Sequence, residues 1–200
     1  MTGAEPLDRL REALNRPGEG SSDFDLNPDF APPAGVVLRP AAVLVGISLY
    51  HDTPRVLLTK RSSRLKHHPG QIAFPGGKKD DSDRDLVETA LREAEEEVGL
   101  PADRVEIIGS LPTHETVTGF TVTPVFGLIS DAFPLRPERG EVDEVFTVPL
   151  SHVLNPDQFV IQSRHWRGLR RHYYTVPYGP YYIWGATARI LRALAGRMAE

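Results

Sequence analysis

Residues 86–100 read LVETALREAEEEVGL, and the fold follows from how this stretch is placed. On a helix turning about 100° per residue, Val87, Ala90, Leu91, Ala94 and Val98 share one stripe that should face a core. Glu93, Glu96 and Glu97 share another, at i, i+3 and i+4. The helix is expected over Asp85 to Val98, stopped by Gly99 and Pro101. Three carboxylates on one rigid face repel one another unless a cation sits among them. Mg²⁺ or Mn²⁺ suits, because both are hard ions that prefer carboxylate and water oxygens. Arg92 lies one helical step from Glu96 and can pair with a carboxylate to hold it in place. Taken alone, the same pattern also describes a solvated acidic face.

Working outward, Phe74-Pro75-Gly76-Gly77 precedes the helix, joined to it by the loop from Lys78 to Asp85. Two consecutive glycines after a strand let the backbone turn sharply and approach a ligand closely, which delivers the helix across the end of a sheet. Upstream, Ala41 to Tyr50 and Arg55 to Arg61 read as strands with His51 to Pro54 as their turn, and Gln71 to Phe74 as a short strand. Downstream, strands are expected at Val105 to Leu111, Thr121 to Ile129 and Glu144 to Val148, with two more at Phe159 to Gln162 and His172 to Val176. Ile183 to Met198 reads as a closing amphipathic helix, with Trp184, Ala188, Leu191, Leu194 and Met198 on one side. Strands around a central helix, with a second helix at the end, imply a mixed sheet between helices, an α/β (α+β) class.

The beginning of the chain differs in kind. Leu7, Leu10 and Leu14 recur at helical spacing, ending at Pro17-Gly18. From Pro17 to Gly35 the chain is rich in Gly, Ser, Pro and Asp with no apolar period, and reads as a linker or surface-draped arm. The expected division is therefore an arm over 1–35 and one domain over 36–200, within a length of 200 residues that allows a substantial core.

Composition excludes several function classes. There is no cysteine, so disulfide frameworks and thiolate sites are ruled out. A net charge of −4 offers no global field for nucleic acid or an anionic membrane. No apolar stretch is long enough for a signal peptide or a membrane span, so a cytoplasmic protein is expected. A basic run from Arg164 to His172, with Trp166, could suggest nucleic-acid binding, but in an acidic chain it reads as a solvated hairpin.

Together, the glycine turn and the acidic helix resemble the Nudix box, Gly, five residues, Glu, seven residues, then Arg-Glu-(apolar)-x-Glu-Glu-x-Gly-(apolar). The second half matches in full at Arg92, Glu93, Ala94, Glu96, Glu97, Gly99 and Leu100. The first half carries one residue more between Gly77 and Arg92, and Arg84 stands where the box has its first glutamate. The coenzyme A diphosphatase branch of that family is similar in this longer form, with aspartates in the loop where Asp80 and Asp83 stand here. That branch also carries Leu-Leu-Thr-x-Arg-(Ser/Ala), three residues, Arg, three residues, Gly, three residues, Phe-Pro-Gly-Gly. This chain has Leu57-Leu58-Thr59-Lys60-Arg61-Ser62, then Lys66, Gly70 and Phe74-Pro75-Gly76-Gly77, with Lys66 in place of arginine. Lysine keeps the charge but lacks the bidentate fork. The likeness continues through Gly119 to Pro124 and Ile183 to Ala188.

The resemblance implies a Nudix-type α/β/α sandwich and metal-dependent hydrolysis of the diphosphate of coenzyme A, giving 3′,5′-ADP and 4′-phosphopantetheine. It implies Mg²⁺ or Mn²⁺ on Glu93, Glu96 and Glu97, with Arg92 completing the catalytic set. Arg61, Lys66, Gly76 and Gly77 are the expected substrate-binding residues, with His68 a weaker addition and Arg64 weaker still. A general base could be Glu93 or one of Glu138, Glu141 and Glu144; spacing does not choose among them. The expected partner is coenzyme A, with no nucleic acid and no membrane, and a homodimer stays open. Other substrates, such as ADP-ribose, a dinucleotide or a nucleoside triphosphate, and a catalytically silent binding module are the alternatives.

Overall fold

A computed structural model describes residues 4–30, 35–166 and 168–199; the parts of the arm at 1–3 and 31–34, and the side chain of Trp166, lie outside the described residues. Helix α1 (Ala4–Asn15) and short strand β1 (Ser21–Ser22) come first, then β2 (Arg39–Ser48), β3 (Arg55–Arg61), β4 (Ile72–Ala73) and β5 (Gly76–Lys78). Helix α2 (Leu86–Val98) leads to β6 (Val105–Ser110), β7 (His114–Glu115), β8 (Phe120–Ile129) and β9 (Val142–Pro149). Helix α3 (Leu150–Leu154), the hairpin β10 (Val160–Trp166) and β11 (Leu169–Thr175), and helix α4 (Gly185–Ala199) complete the order.

The sheet is mixed: β2 runs parallel to β8 from Arg39↔Phe120 to Ser48↔Ile129 and antiparallel to β3 at Ile47↔Val56. Side chains that alternate along these strands feed two separate cores. Val45, Ile47, Val56, Leu58, Phe126 and Leu128 pack with α1, α3 and α4 on one face. Ala42, Leu44, Leu57, Val125 and Ile129 pack with Ala90, Ala94 and Val98 of α2 on the other. The result is the expected α/β/α sandwich, with Ala90, Ala94 and Val98 of the predicted stripe buried and Val87 and Leu91 partly buried against them. Among the described residues no helix is long and apolar enough to cross a membrane.

The structure differs from the sequence reading mainly at edges. β2 spans Arg39 to Ser48 rather than Ala41 to Tyr50, because the chain is already turning at Tyr50. The short strand expected over Gln71 to Phe74 shrinks to Ile72–Ala73. Ile183 and Trp184 precede α4, whose first residue, Gly185, has φ +65°. That left-handed backbone suits glycine and turns Trp184 off the helix.

The largest difference is at the beginning of the chain. Leu10 and Ala13 are fully buried in the core beside α4, and burying Leu10 alone contributes about 1.5–3 kcal/mol. Arg197 of α4 donates to the carbonyls of Ala13 and Arg16 at 2.9 and 2.6 Å, closing the C-terminal end of α1. The segment after Pro17 carries no apolar period, yet Ser21 and Ser22 pair in parallel with His114 and Glu115. His114, fully buried, stands between Ser21 Oγ at 2.9 Å and Asp23 Oδ1 at 3.2 Å. Polar contacts, not hydrophobic burial, fasten this segment, so apolar periodicity could not reveal it.

Candidate functional site

Helix α2 is held at both ends by its own sequence. The Asp85 side chain accepts from Glu88 N–H at 2.9 Å, and Gly99, at φ +75°, returns its N–H to the last carbonyls. With Ala90, Ala94 and Val98 locked against the sheet, the glutamate stripe faces the turn at 74–78. There β5 joins the sheet beside β2 and passes under the helix. Gly76 pairs with Val43 on β2, and a Cβ on Gly76 would lie 2.4 Å from the Ala42 carbonyl oxygen. A Cβ on Gly77 would lie 2.5 Å from the Glu93 carboxylate. Gly76 lets the strand lie against β2, and Gly77 lets it pass close to the Glu93 carboxylate.

The stripe is consequently not uniform. Glu97 is 4% exposed and accepts a hydrogen bond from Gly76 N–H at 3.3 Å. Glu93 is mostly covered, while the Glu96 side chain is 60% exposed. Burial pushes the Glu97 carboxyl up to about 8; the Gly76 N–H opposes this, the Glu93 charge adds to it, and the Arg61 charge opposes it. Glu93 is also raised, first by burial, against the stabilising charge of Arg92.

Arg92 organises the rest. Its guanidinium bonds Asp83 at 2.9 and 3.0 Å, Glu93 at 3.0 Å and Glu96 at 3.2 Å. Asp83 is buried and also accepts from Thr89 Oγ1 and Asp80 N–H, each at 2.9 Å. Arg92 and these donors hold Asp83 far below the usual carboxylate range. Arg84, which stands where the box has a glutamate, is exposed and pairs instead with Glu88 at 3.0 Å. The loop aspartate Asp83, not the residue at the box position, is what holds Arg92.

As it stands, each carboxylate is engaged by a neighbour, and among the described residues no three His, Cys, Asp or Glu side chains close on a common point. The donor set nonetheless fits a hard divalent ion. It offers oxygen alone, on one rigid face, and a cation there would relieve the burial and like-charge penalties felt by Glu97 and Glu93. Of the three further acids, Glu141 is the one whose charge reaches both Glu93 and Glu97. Glu144 accepts from Tyr181 Oη at 2.5 Å, and Glu138 folds back to Gly140 N–H at 3.0 Å.

Beside the stripe opens a cavity of about 290 Å³. Val43, Arg61 and Phe74 join the two, since Val43 pairs with Gly76 and the Arg61 charge is felt at Glu97. His68 also lines it and, among the described residues, is the one non-glycine with left-handed backbone, at φ 55°. Lys66 and Arg64 are exposed on the loop 62–70 and are not among the lining residues. The remaining wall went unseen in the sequence. It includes Asp23 and Asn27 from the arm, Thr116 to Thr118, Arg164 and Arg171 from the hairpin, and Trp184. The expected hairpin is present, and two of its arginines, Arg164 and Arg171, line this cavity. Asn27 joins two of these pieces, donating to the His172 carbonyl at 2.9 Å and accepting from His172 N–H at 2.7 Å.

An arginine-ordered glutamate stripe laid across the end of a mixed sheet, with helices on both faces, defines a Nudix-type fold. The NUDIX domain model matches residues 39–169, more than half of the chain. An uncharacterized Nudix hydrolase, NudL, of Cronobacter sakazakii is 44% identical over 162 residues, 81% of this chain and 84% of that protein. The Shigella boydii protein of the same name is 45% identical over 157 residues, 78% of this chain and 81% of that one. The crystal structure of RenU, a Nudix hydrolase from M. smegmatis, aligns with a TM-score of 0.48 and 26% identity, over 57% of this chain and 73% of that chain. The chain belongs to the Nudix family and is a hydrolase of diphosphate bonds.

Proposed function

We propose that the protein hydrolyses the diphosphate of coenzyme A, giving 3′,5′-ADP and 4′-phosphopantetheine, with Mg²⁺ or Mn²⁺ held by Glu93, Glu96 and Glu97. The observation that carries this is adjacency: Arg61 and Phe74 connect the carboxylate stripe to a neighbouring cavity lined by arginines. Coenzyme A needs such a pairing, because it presents a diphosphate to be cut and a separate 3′-phosphate to be bound. Within the stretch from Leu57 to Gly77 that resembles the coenzyme A branch, Arg61, His68 and Phe74 line the cavity, and Gly76 and Gly77 adjoin the stripe.

A bound divalent ion would neutralise phosphoryl oxygens and lower the pKa of attacking water. The chain's own part is positioning. Arg92, anchored on Asp83, holds Glu93 and Glu96 at fixed separation. Gly76 and Gly77 let backbone approach Glu97 and Glu93, and Arg61 offers a cation at the border where a diphosphate would lie. Glu141 is the candidate general base outside the stripe, from the reach of its charge to Glu93 and Glu97.

The test is product analysis on coenzyme A, dephospho-coenzyme A, ADP-ribose and a dinucleoside polyphosphate, with Mg²⁺, with Mn²⁺ and with excess chelator. Coenzyme A should be the best substrate, yielding 3′,5′-ADP, and the chelator should abolish turnover until metal is restored. Full turnover in chelator would sink the metal role. Much faster cleavage of ADP-ribose would sink the substrate assignment.

A further inference from the structure

The β10–β11 hairpin puts two arginines in direct opposition. In the antiparallel register Arg164 faces Arg171, so both side chains rise from the same face of the ribbon. Like charges directly opposite one another weaken a strand pair. The hairpin keeps them, and both line the cavity that adjoins the carboxylate stripe. Each guanidinium has an aromatic ring for support: Arg164 lies 4.5 Å from the Trp184 ring centre, and Arg171 lies 4.8 Å from that of Phe30. Stacking engages the flat face of a guanidinium, and its rim is the part that suits phosphate oxygens.

Asp23 is felt at Arg171, but its Oδ1 is held by His114 at 3.2 Å and its Oδ2 by Val117 N–H at 3.0 Å. Burial and the charge of Arg164 lower the Arg171 pKa despite Asp23. The position is rigid as well, because Asn27 grips both backbone polar groups of His172, the residue after Arg171.

We infer that Arg164 and Arg171 form an anion-reading pair for the second phosphate of a nucleoside 3′,5′-bisphosphate moiety, so that the hairpin, rather than the loop carrying Lys66, sets preference for a 3′-phosphate. A phosphate between the two guanidiniums removes their mutual repulsion and accepts hydrogen bonds from both. The cavity then receives the nucleotide end of the substrate while its diphosphate lies over the stripe. This rests on the proposed coenzyme A reading and adds the residues that recognise the feature distinguishing coenzyme A from its dephospho form.

The experiment compares the wild type, R164Q, R171Q and the double variant. It measures kcat/KM on coenzyme A and on dephospho-coenzyme A, and calorimetric binding of 3′,5′-ADP and of 5′-AMP. Loss of a charge-assisted contact predicts that R164Q lowers kcat/KM on coenzyme A about tenfold more than on dephospho-coenzyme A. Binding of 3′,5′-ADP should fall toward that of 5′-AMP in the same variants. R164Q is the decisive one should R171Q fail to fold, because Arg164 is exposed. Equal losses on both substrates, or a preference that survives the double variant, would overturn the assignment. If the wild type fails to cleave coenzyme A yet binds 3′,5′-ADP more tightly than 5′-AMP through Arg164, the substrate reading falls and the anion pair stands. If it cleaves coenzyme A and dephospho-coenzyme A alike, the pair falls and the substrate reading stands.

Discussion

Helix α2 and the β10–β11 hairpin both concentrate one sign of charge at the edge of the same site, and they manage it in opposite ways. On α2 the crowding is local, set by i, i+3 and i+4 spacing, and a residue of the same helix, Arg92, ties two of the three carboxylates together. On the hairpin the crowding comes from cross-strand register, and support comes from distant segments, Trp184 beneath Arg164 and Phe30 beneath Arg171. A helix can carry its own counter-charge because neighbouring turns meet in space. A two-stranded ribbon with arginines opposed must borrow its support or take it from a ligand. On the proposed reading, the acidic side serves the reaction and the basic side serves selection among substrates.

The sharpest test of the acidic side is Glu97→Gln. The amide keeps the shape and can still accept from Gly76 N–H, so the fold should persist even though the position is buried. Loss of the charge should lower kcat by on the order of a hundredfold or more if Glu97 holds catalytic metal. A thermal melt alongside steady-state kinetics separates the two effects. Near-normal kcat would reduce Glu97 to a buried structural acid and leave the comparison without its reactive half.

A smaller effect should come from the anchor of the stripe. Asp83→Asn keeps volume but removes the charge that fixes Arg92, so Glu93 and Glu96 lose their common tie. The expected cost is about tenfold in kcat with KM nearly unchanged, as for a group acting through positioning. Arg84→Ala, at the exposed box position, should leave kcat within about twofold, as is usual away from such networks. If Arg84 proved the more sensitive of the two, the assignment of Asp83 as anchor would be wrong.

Legibility in the sequence follows the same division between local and distant. The stripe of Val87, Ala90, Leu91, Ala94 and Val98 predicts both the helix and its buried face, since both depend on one 3.6-residue period. The resemblance points to Arg61 and, more weakly, His68, which line the cavity, and equally to Lys66, which does not. The burial of Glu97 was not legible: it depends on β5 lying across the helix, an arrangement set by pairing with β2. The arm was not either. Asn27 matters through the His172 backbone, 145 residues away, and polar contacts of that range leave no periodic trace. Arg164 and Arg171 looked like solvated charge because opposition across a hairpin requires the register, which one strand alone does not specify.

The smallest effect is expected at Lys66, and it bears most directly on which cations select the substrate. The sequence pairs Lys66 with Arg61 as substrate-binding residues, but the two are placed differently. The loop between them is pinned at its base by Arg61 N–H to the Gln71 carbonyl at 2.9 Å and Gly70 N–H to the Arg61 carbonyl at 3.0 Å. Lys66 stands midway around that loop, exposed, while Arg61 lines the cavity and its charge reaches Glu97. An exposed lysine acts on an anionic substrate mainly through long-range attraction, which salt screens over about 8 Å at physiological ionic strength. Lys66→Ala should therefore lower kcat/KM by about twofold at low salt, similarly for coenzyme A and dephospho-coenzyme A, and the difference should fade as salt rises. Arg61→Ala should cost about tenfold and keep most of that cost in salt, as a contact close to the diphosphate would. Measuring both variants on both substrates across a salt series distinguishes steering from contact. A salt-resistant loss at Lys66 confined to coenzyme A would place 3′-phosphate selection on the loop and remove it from the hairpin.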